Sequence, residues 1–218
     1  MTLESSPLHT TKDDSRSQLL LNYQDKIRVC TRCVAAGFIQ EAKPVFRGHV
    51  DHRLMVVGQA PGERGHLNSV PYVGATGKTL RNWLGQAGFA ENDLYERFYL
   101  TSVTKCFPGP SGTGKGDRAP SPPEVRLCRD HLDAEIALVR PELVLAMGRL
   151  SATGFIGPAP LDQLVGTLHT IQRVEHRFLV LPLPHPSGVS HWLNRESNKA
   201  RLNEALKLLA ATRIEHNW

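Results

Sequence analysis

The stretch LMVVGQAPGERG, residues 54–65, decides the fold. Its first four residues form a short apolar run of the kind that is buried as a strand in an α/β sheet. Gly58 comes directly after this run and Gly62 four residues later, and the two glycines predict a tight turn where that strand ends. In an open α/β sheet, ligands bind beyond the carboxyl ends of the strands. The loop Gly58-Gln59-Ala60-Pro61-Gly62 is therefore the first candidate for a binding site.

Strands and helices alternate along the rest of the chain. Apolar spacing predicts helices over 17–29, 77–89, 123–140 and 197–212, and strands over 53–58, 97–103, 142–148 and 178–184, with a hairpin before the last strand. Alternation of this kind is typical of a parallel sheet that helices cover on both faces. We therefore expect an α/β fold, a three-layer α/β/α sandwich around a mostly parallel, four-stranded central sheet.

The composition is that of a globular protein. Of 218 residues, 40% are hydrophobic and 22% are charged, which favours one domain over residues 17–218 after a flexible polar tail over 1–16. No apolar run approaches the roughly 18 residues of a membrane span, and the N-terminus lacks the apolar segment of a secretory signal. We expect a cytoplasmic monomer without a membrane partner. The net charge of +5 permits a polyanionic partner.

The segment GATGKT, residues 74–79, is similar to a phosphate-binding loop but departs from its pattern. The Walker motif requires a glycine five residues before Gly77, and Tyr72 stands there. We interpret the segment as the N-terminus of a helix, with Lys78 in its first turn, where it can face a DNA phosphate. The alternative interpretation of this segment is a phosphate-binding loop, which would make the protein one that binds a nucleoside triphosphate.

The four cysteines, Cys30, Cys33, Cys106 and Cys128, indicate a metal centre. The first two form a Cys-x-x-Cys pair, which can chelate one metal centre. Disulfides are disfavoured inside cells, so the four cysteines suit either a structural zinc or an iron–sulfur cluster. Four unconnected cysteines are the remaining alternative, because the second pair is not closely spaced.

Two further loops hold candidate residues. His185 lies between two prolines in PHPSG, after the last apolar strand, where a rigid loop fixes the direction of its imidazole. Tyr72 lies in PYVG, after the first strand, and is either a core residue or a stacking platform for a base.

Together these motifs resemble the uracil-DNA glycosylase superfamily, and most closely its iron–sulfur-containing, family 4 branch. The resemblance covers roughly residues 28–205 and includes the order of the cysteines. Five motifs carry it: GQAPG (58–62), PYVG (71–74), TSVTKC (101–106), RPELVLAMG (140–148) and HPS (185–187). It implies a repair enzyme that flips a deaminated base, above all uracil, out of DNA and hydrolyses its N-glycosidic bond.

The resemblance also implies roles for the site residues. Tyr72 would stack on the base, Gln59 and the GQAPG backbone would wrap it, and a neutral His185 would donate a hydrogen bond to the base oxygen. Val189 would wedge into the base stack. Contacts with DNA phosphates are expected from Ser187, Lys78 and Lys105. The cysteines would hold a structural 4Fe–4S cluster, with zinc as the alternative.

Three positions depart from the family. Ala60 stands where the best-known relatives place an Asp that orients water, although the iron–sulfur branch also lacks it, and Gln59 replaces a Glu. Ser102 replaces the Asn that reads uracil, and a serine hydroxyl is shorter and offers one donor. Asn68 is a candidate to compensate. Ser102 therefore leaves three alternatives to a selective uracil glycosylase. The enzyme acts on uracil with weaker selectivity, it excises another base such as hypoxanthine, or the protein is an inactive module that binds nucleic acid.

Overall fold

A computed structural model describes residues 12–112, 116–173, 176–188 and 191–218. The strands of these residues are β1 (Leu54–Gly58), β2 (Phe98–Ser102), β3 (Leu143–Met147), β4 (His169–Arg173) and β5 (His176–Leu183). The helices are α1 (Lys12–Arg28), α2 (Arg32–Ala35), α3 (Glu63–Asn68), α4 (Ala75–Gln86), α5 (Asp93–Glu96), α6 (Pro122–Val139), α7 (Arg149–Ile156), α8 (Leu161–Leu164) and α9 (Glu196–Glu215). A 3₁₀ turn spans His191–Asn194.

The strands form one sheet in the order β2-β1-β3-β5-β4. Strands β2, β1, β3 and β5 are parallel, as predicted, whereas β4 pairs with β5 in the antiparallel direction. The expected count of four strands is thus corrected to five among the described residues. The additional strand is β4. It is polar, and its residues alternate between half-buried and exposed because it lies at the edge of the sheet.

Helices cover both faces of the sheet. Leu54 and Val56 of β1 pack into one hydrophobic cluster with residues of α4 and α9, while Met55 and Val57 pack into the other with residues of α1, α6 and α7. A central parallel strand that is apolar on every side requires this arrangement. The predicted three-layer α/β/α sandwich is confirmed.

Local sequence signals fix the start of α6, whereas α1 begins earlier than its apolar spacing predicts. Helix α6 begins with Pro122 after Ser121, whose backbone N–H and hydroxyl both donate to the Glu124 carboxylate at 2.7 Å. Helix α1 begins at Lys12, earlier than the predicted start at residue 17, and residues 1–11 of the predicted tail lie outside the described residues. Among the described residues, no helix combines the length and the apolar character that crossing a membrane requires.

Candidate active site

Three chain segments meet at one edge of the sheet. Because β1, β2 and β5 are parallel, their carboxyl ends lie at the same edge, where the GQAPG loop, Ser102 and the His185 loop emerge. A cleft of about 390 Å³ opens there. The predicted site residues that line it are Gly58, Gln59, Ala60, Pro61, Gly62, Tyr72, Ser102, His185 and Ser187.

The imidazole of His185 is oriented by its own loop. The backbone N–H of Ser187 donates to Nδ1 at 3.3 Å, and the Ser187 hydroxyl lies 2.8 Å from the same nitrogen. A ring nitrogen that accepts from an amide carries no proton, so this pattern assigns the proton of the neutral ring to Nε2. Burial lowers the pKa of His185, which favours the neutral ring. The cleft therefore holds a neutral imidazole, and among the described residues its Nε2–H has no hydrogen-bond acceptor.

Tyr72 is held in a backbone conformation that residues with side chains rarely adopt. Its φ of 55° is in the left-handed region, which costs on the order of 1–3 kcal/mol and persists only where the surroundings fix it. The Tyr95 hydroxyl donates to the carbonyls of Pro71 and Tyr72 at 3.1 and 3.2 Å. The ring of Tyr72 also packs against the hydrophobic cluster beneath α4 and α9. These contacts fix an aromatic ring in the wall of the cleft.

The glycines of the segment GATGKT, which is similar to a phosphate-binding loop, have structural roles. A Cβ at this position would overlap the carbonyl oxygen of Tyr72, so only glycine lets α4 approach the Tyr72 backbone. Gly74, at the N-cap of α4, has a φ of 75°, which also favours glycine. Gly77 therefore serves the placement of Tyr72, and Gly74 serves the start of α4.

Replacing Gly77 by alanine is expected to lower the free energy of unfolding by about 2 kcal/mol, because the added methyl group forces the Tyr72 backbone away. Urea unfolding measures the change. Gly85→Ala is the matched control in the same helix, since its Cβ meets nothing within 4 Å. It is expected to stabilise the protein by about 0.5–1 kcal/mol. Equal effects of the two substitutions would contradict the proposed contact.

Lys105 does not face the cleft, in contrast to the expected phosphate contact. It is only 1% exposed. Its ammonium lies 2.6 Å from Glu135 and donates to the Thr101 hydroxyl at 2.7 Å and to the Ser102 carbonyl at 2.6 Å. A phosphate contact needs an ammonium at the surface, so Lys105 is corrected to an internal residue that holds the end of β2.

Three other predicted residues lie outside the cleft lining or the described chain. The Asn68 amide donates to the Arg64 carbonyl at 2.8 Å and does not line the cleft, which removes its expected role in reading the base. Lys78 is exposed in the first turn of α4, beyond the cleft lining. Val189 lies outside the described residues.

All four cysteines line a second cavity. Cys30 follows α1, Cys33 lies in α2, Cys106 follows β2 and Cys128 lies in α6. The cavity therefore joins the N-terminal segment to the strand end that carries Ser102.

Polar groups lie within hydrogen-bond distance of two of the cysteine sulfurs, those of Cys30 and Cys128. The Arg32 Nε–H donates to Cys30 Sγ at 3.5 Å, and His131 Nε2 lies 3.4 Å from the same sulfur. The backbone N–H of Lys105 donates to Cys128 Sγ at 3.4 Å. Such donors stabilise negative charge on sulfur, which suits thiolates bound to a metal centre.

The cysteines suit a metal centre held by thiolates, because all four line one cavity. In the part of the chain that the structure describes, no three His, Cys, Asp or Glu side chains converge as ligands of a single ion. Burial raises the pKa of Cys33 to about 11 and that of Cys106 to about 12, so a bound metal would have to displace their protons.

The cleft lies within a region that matches a known family. The family model described as "Uracil DNA glycosylase superfamily" matches residues 46–210 of this chain. The chain belongs to the uracil DNA glycosylase superfamily. Cys30 and Cys33 precede the region that carries the superfamily match, whereas Cys106, Cys128 and every cleft residue named above lie inside it.

Several relatives within the superfamily share a name. The chain is 29% identical over 147 residues to the Type-4 uracil-DNA glycosylase of Archaeoglobus fulgidus, which covers 65% of this chain and 69% of the relative. It is 26% identical over 197 residues to the Type-4 uracil-DNA glycosylase of Thermotoga maritima, covering 86% of this chain and 90% of the relative.

This superfamily member also has cleft residues that the sequence motifs did not indicate. Asp117, from the loop between β2 and α6, accepts a hydrogen bond from the Glu63 N–H at 3.3 Å. The Asp117 carboxylate packs directly against Gly62, since a Cβ added to Gly62 would lie 2.9 Å from Asp117 Oδ2. Burial raises the pKa of Asp117. Arg118 lines the cleft too, but its guanidinium is bound to Glu124 at 2.7 and 2.8 Å.

Proposed function

We propose that this chain is a DNA glycosylase that flips a deaminated base, above all uracil, out of DNA and hydrolyses its N-glycosidic bond. The protonation of His185 carries the proposal, because the contact at Nδ1 leaves the proton on Nε2 and His185 lines the same cleft as Tyr72. The relatives named Type-4 uracil-DNA glycosylase support the choice of uracil. The product is an abasic site in the DNA.

Binding begins with extrusion of the nucleotide, because the glycosidic bond is out of reach inside a duplex. The flipped base stacks on Tyr72, while Gln59 and the backbone of the GQAPG loop close around it. Val189 enters the gap in the base stack. Ser187 and Lys78 contact the phosphates and set the register of the strand.

The chemical step breaks the bond between C1′ of the sugar and the base nitrogen. The electron pair stays with the base, and the Nε2–H of His185 donates to the base oxygen on which negative charge develops. A water oxygen bonds to C1′ and its proton leaves to the base or to solvent. Because Ala60 supplies no carboxylate, we propose that the main chain of the GQAPG loop holds this water, near the carboxylates of Glu63 and Asp117.

The test uses single-stranded and double-stranded oligonucleotides that carry uracil, hypoxanthine or xanthine. After incubation with the protein, alkali cleaves the strand at any abasic site. We expect cleavage at uracil in the wild-type reaction and none in a matched strand with thymine. Binding of these strands without cleavage at any base would instead support the nucleic-acid-binding module, which Ala60 and Ser102 favour.

We also propose that the four cysteines hold a 4Fe–4S cluster. The cavity that all four cysteines share and the donors directed at the sulfurs of Cys30 and Cys128 support this proposal. Zinc is the alternative that the same four thiolates would hold. When bound, the cluster supplies a structural cross-link. Cys30 and Cys33 would tie the N-terminal segment to β2 and α6 through Cys106 and Cys128.

Cys128→Ala is expected to abolish the absorbance at about 400 nm. The bound iron is expected to fall below the roughly four atoms per chain of the wild-type protein. The Tm is expected to fall by about 10 °C, because closing a loop as long as 33–106 contributes about 4 kcal/mol in the chain-entropy model. Arg126→Ala, at an exposed position of the same helix, is the control and should keep iron and Tm. A colourless wild-type protein with one zinc per chain would contradict the cluster.

The activity is proposed to reside in one domain, residues 17–218, that acts as a monomer in the cytoplasm. A single sheet with helices on both faces supports one domain, and the net charge of +5 suits a DNA partner. Size-exclusion chromatography with light scattering tests the monomer.

A further inference from the structure

The segment that carries Cys30 and Cys33 is weakly packed. None of the residues of α2, the turn that holds Cys33, is buried. Val29, directly before Cys30, is exposed. Cys128, in contrast, lies on the buried face of α6. Apolar packing therefore does not explain why Cys30 lines the same cavity as Cys128, and polar contacts have to hold it there.

Arg32 directs one N–H at the sulfur of Cys30. Its two terminal nitrogens donate to the two carboxylate oxygens of Asp130 at 3.0 and 2.9 Å. A bidentate pair of this kind fixes the plane of the guanidinium. The remaining Nε–H donates to Cys30 Sγ at 3.5 Å. An exposed ion pair by itself contributes little to stability, but this one decides where the third donor of Arg32 points.

His131 approaches the same sulfur from the next position of α6. It is only 2% exposed, and its Nε2 lies 3.4 Å from Cys30 Sγ. A thiolate carries no hydrogen, so this contact requires the proton of a neutral ring to be on Nε2. Nδ1 then accepts from the Tyr23 hydroxyl, which lies 3.3 Å away. The same hydroxyl also lies 3.3 Å from the Asp130 carbonyl oxygen, its other acceptor.

We propose that Arg32 and His131 are positioning residues that hold the Cys30 sulfur in place as a thiolate ligand and thereby slow the loss of the metal centre. Asp130 orients Arg32, and Tyr23 orients His131. Donors to a ligand fix its direction and stabilise its charge. When the bond between Cys30 and the metal opens, the two donors keep the sulfur where the bond can form again.

The inference rests on the proposed metal centre but does not depend on which metal is bound. Both donors act on the sulfur of Cys30, and this sulfur would be a ligand of a 4Fe–4S cluster and of zinc alike. The contacts join three elements, since Tyr23 lies in α1, Arg32 in α2 and His131 in α6. They therefore bring the first cysteine to the cavity wall that carries Cys128 without help from the metal.

Replacing His131 tests the inference through the rate of metal release. The purified, metal-loaded protein is placed in excess EDTA without oxygen, and the metal that remains after desalting is measured at intervals by mass spectrometry. His131→Leu is expected to release metal about tenfold faster than the wild type. His131→Gln, whose amide N–H can replace the Nε2–H, is expected to stay within about threefold of the wild-type rate.

His52→Leu is the matched control. His52 is 4% exposed and its Nε2 lies 3.1 Å from the Glu96 carbonyl oxygen, so this variant also removes a buried histidine with its hydrogen bond. Both leucine variants are expected to lower the Tm, because each leaves a buried polar partner unsatisfied. Only His131→Leu is expected to accelerate metal release, which separates the effect on the sulfur from a general loss of stability.

Asp130→Ala tests the orientation of Arg32. The Asp130 side chain is exposed, so its removal is tolerated by the fold. Release is expected to be faster than in the wild type, and Arg32→Ala in the same chain should add nothing, because both substitutions remove the same contact with Cys30. Asp25→Ala is the control, since it breaks an exposed pair with Arg28 at 2.6 Å and should keep the wild-type rate.

The outcomes separate this inference from the proposal on which it rests. Wild-type release in His131→Leu, equal rates in His131→Gln and His131→Leu, or equal acceleration by His52→Leu would overturn the positioning role while the metal centre still stood. A wild-type protein that binds no metal, or a Cys128→Ala variant that keeps all of it, would overturn the metal centre itself.

Discussion

Replacing His185 by alanine is expected to lower kcat on uracil-containing DNA about 10²–10³-fold and to leave KM within about threefold. The donor is aimed at an oxygen that becomes strongly negative only as the glycosidic bond breaks, so its loss affects the transition state more than the bound substrate. The Ser187 N–H holds Nδ1 at 3.3 Å, which assigns the proton to Nε2 before any substrate arrives. Single-turnover cleavage measures the loss.

His191→Ala is the matched control, since His191 lies six residues further along, in an exposed position of the 3₁₀ turn. It is expected to keep wild-type kcat. Because burial lowers the pKa of His185, the ring stays neutral as the pH falls through the ordinary value of 6.5. The wild-type rate should therefore hold constant from pH 7.5 to about 6.5, before protonation reduces it at lower pH. Wild-type kcat in His185→Ala would show that the imidazole does not act on the base.

The cleft could be predicted because its parts follow apolar strands. GQAPG follows β1 and HPS follows β5, and parallel strands place such turns at one edge of the sheet. What the chain pattern did not indicate is Asp117, which comes from a loop rich in proline and glycine. Its place before Gly62 depends on how that loop folds back over α3, and no periodicity encodes this contact.

The burial of Lys105 was missed although a signal for it exists. A lysine just after a strand is normally a surface residue, and the motif alone favours a phosphate contact. Glu135, however, lies among Leu132, Ile136 and Val139 on the buried face of α6. An acidic residue on an apolar helical face requires a buried cation, and the end of β2 supplies it.

The largest loss of stability is expected from breaking this buried pair. Lys105→Met is expected to lower the free energy of unfolding by about 3–5 kcal/mol, because it leaves the Glu135 carboxylate buried without its cation. The Lys105 and Glu135 side chains are 2% and 0% exposed, and the ammonium lies 2.6 Å from the carboxylate. The hydroxyls of Tyr99 and Thr101 still donate to Glu135, but they cannot neutralise its charge. For a protein of this size we expect the Tm to fall by about 10 °C.

Lys199→Met isolates burial as the cause. Lys199 and Glu196 also lie 2.6 Å apart, but their side chains are 52% and 86% exposed. Breaking this pair is expected to cost less than about 1 kcal/mol, because water solvates the charge that remains. Thermal unfolding of the two variants with iron content held equal makes the comparison. Similar losses of stability in the two variants would contradict the prediction. They would mean that another cation or water compensates the Glu135 charge, and that the Ser102 carbonyl keeps its position without Lys105.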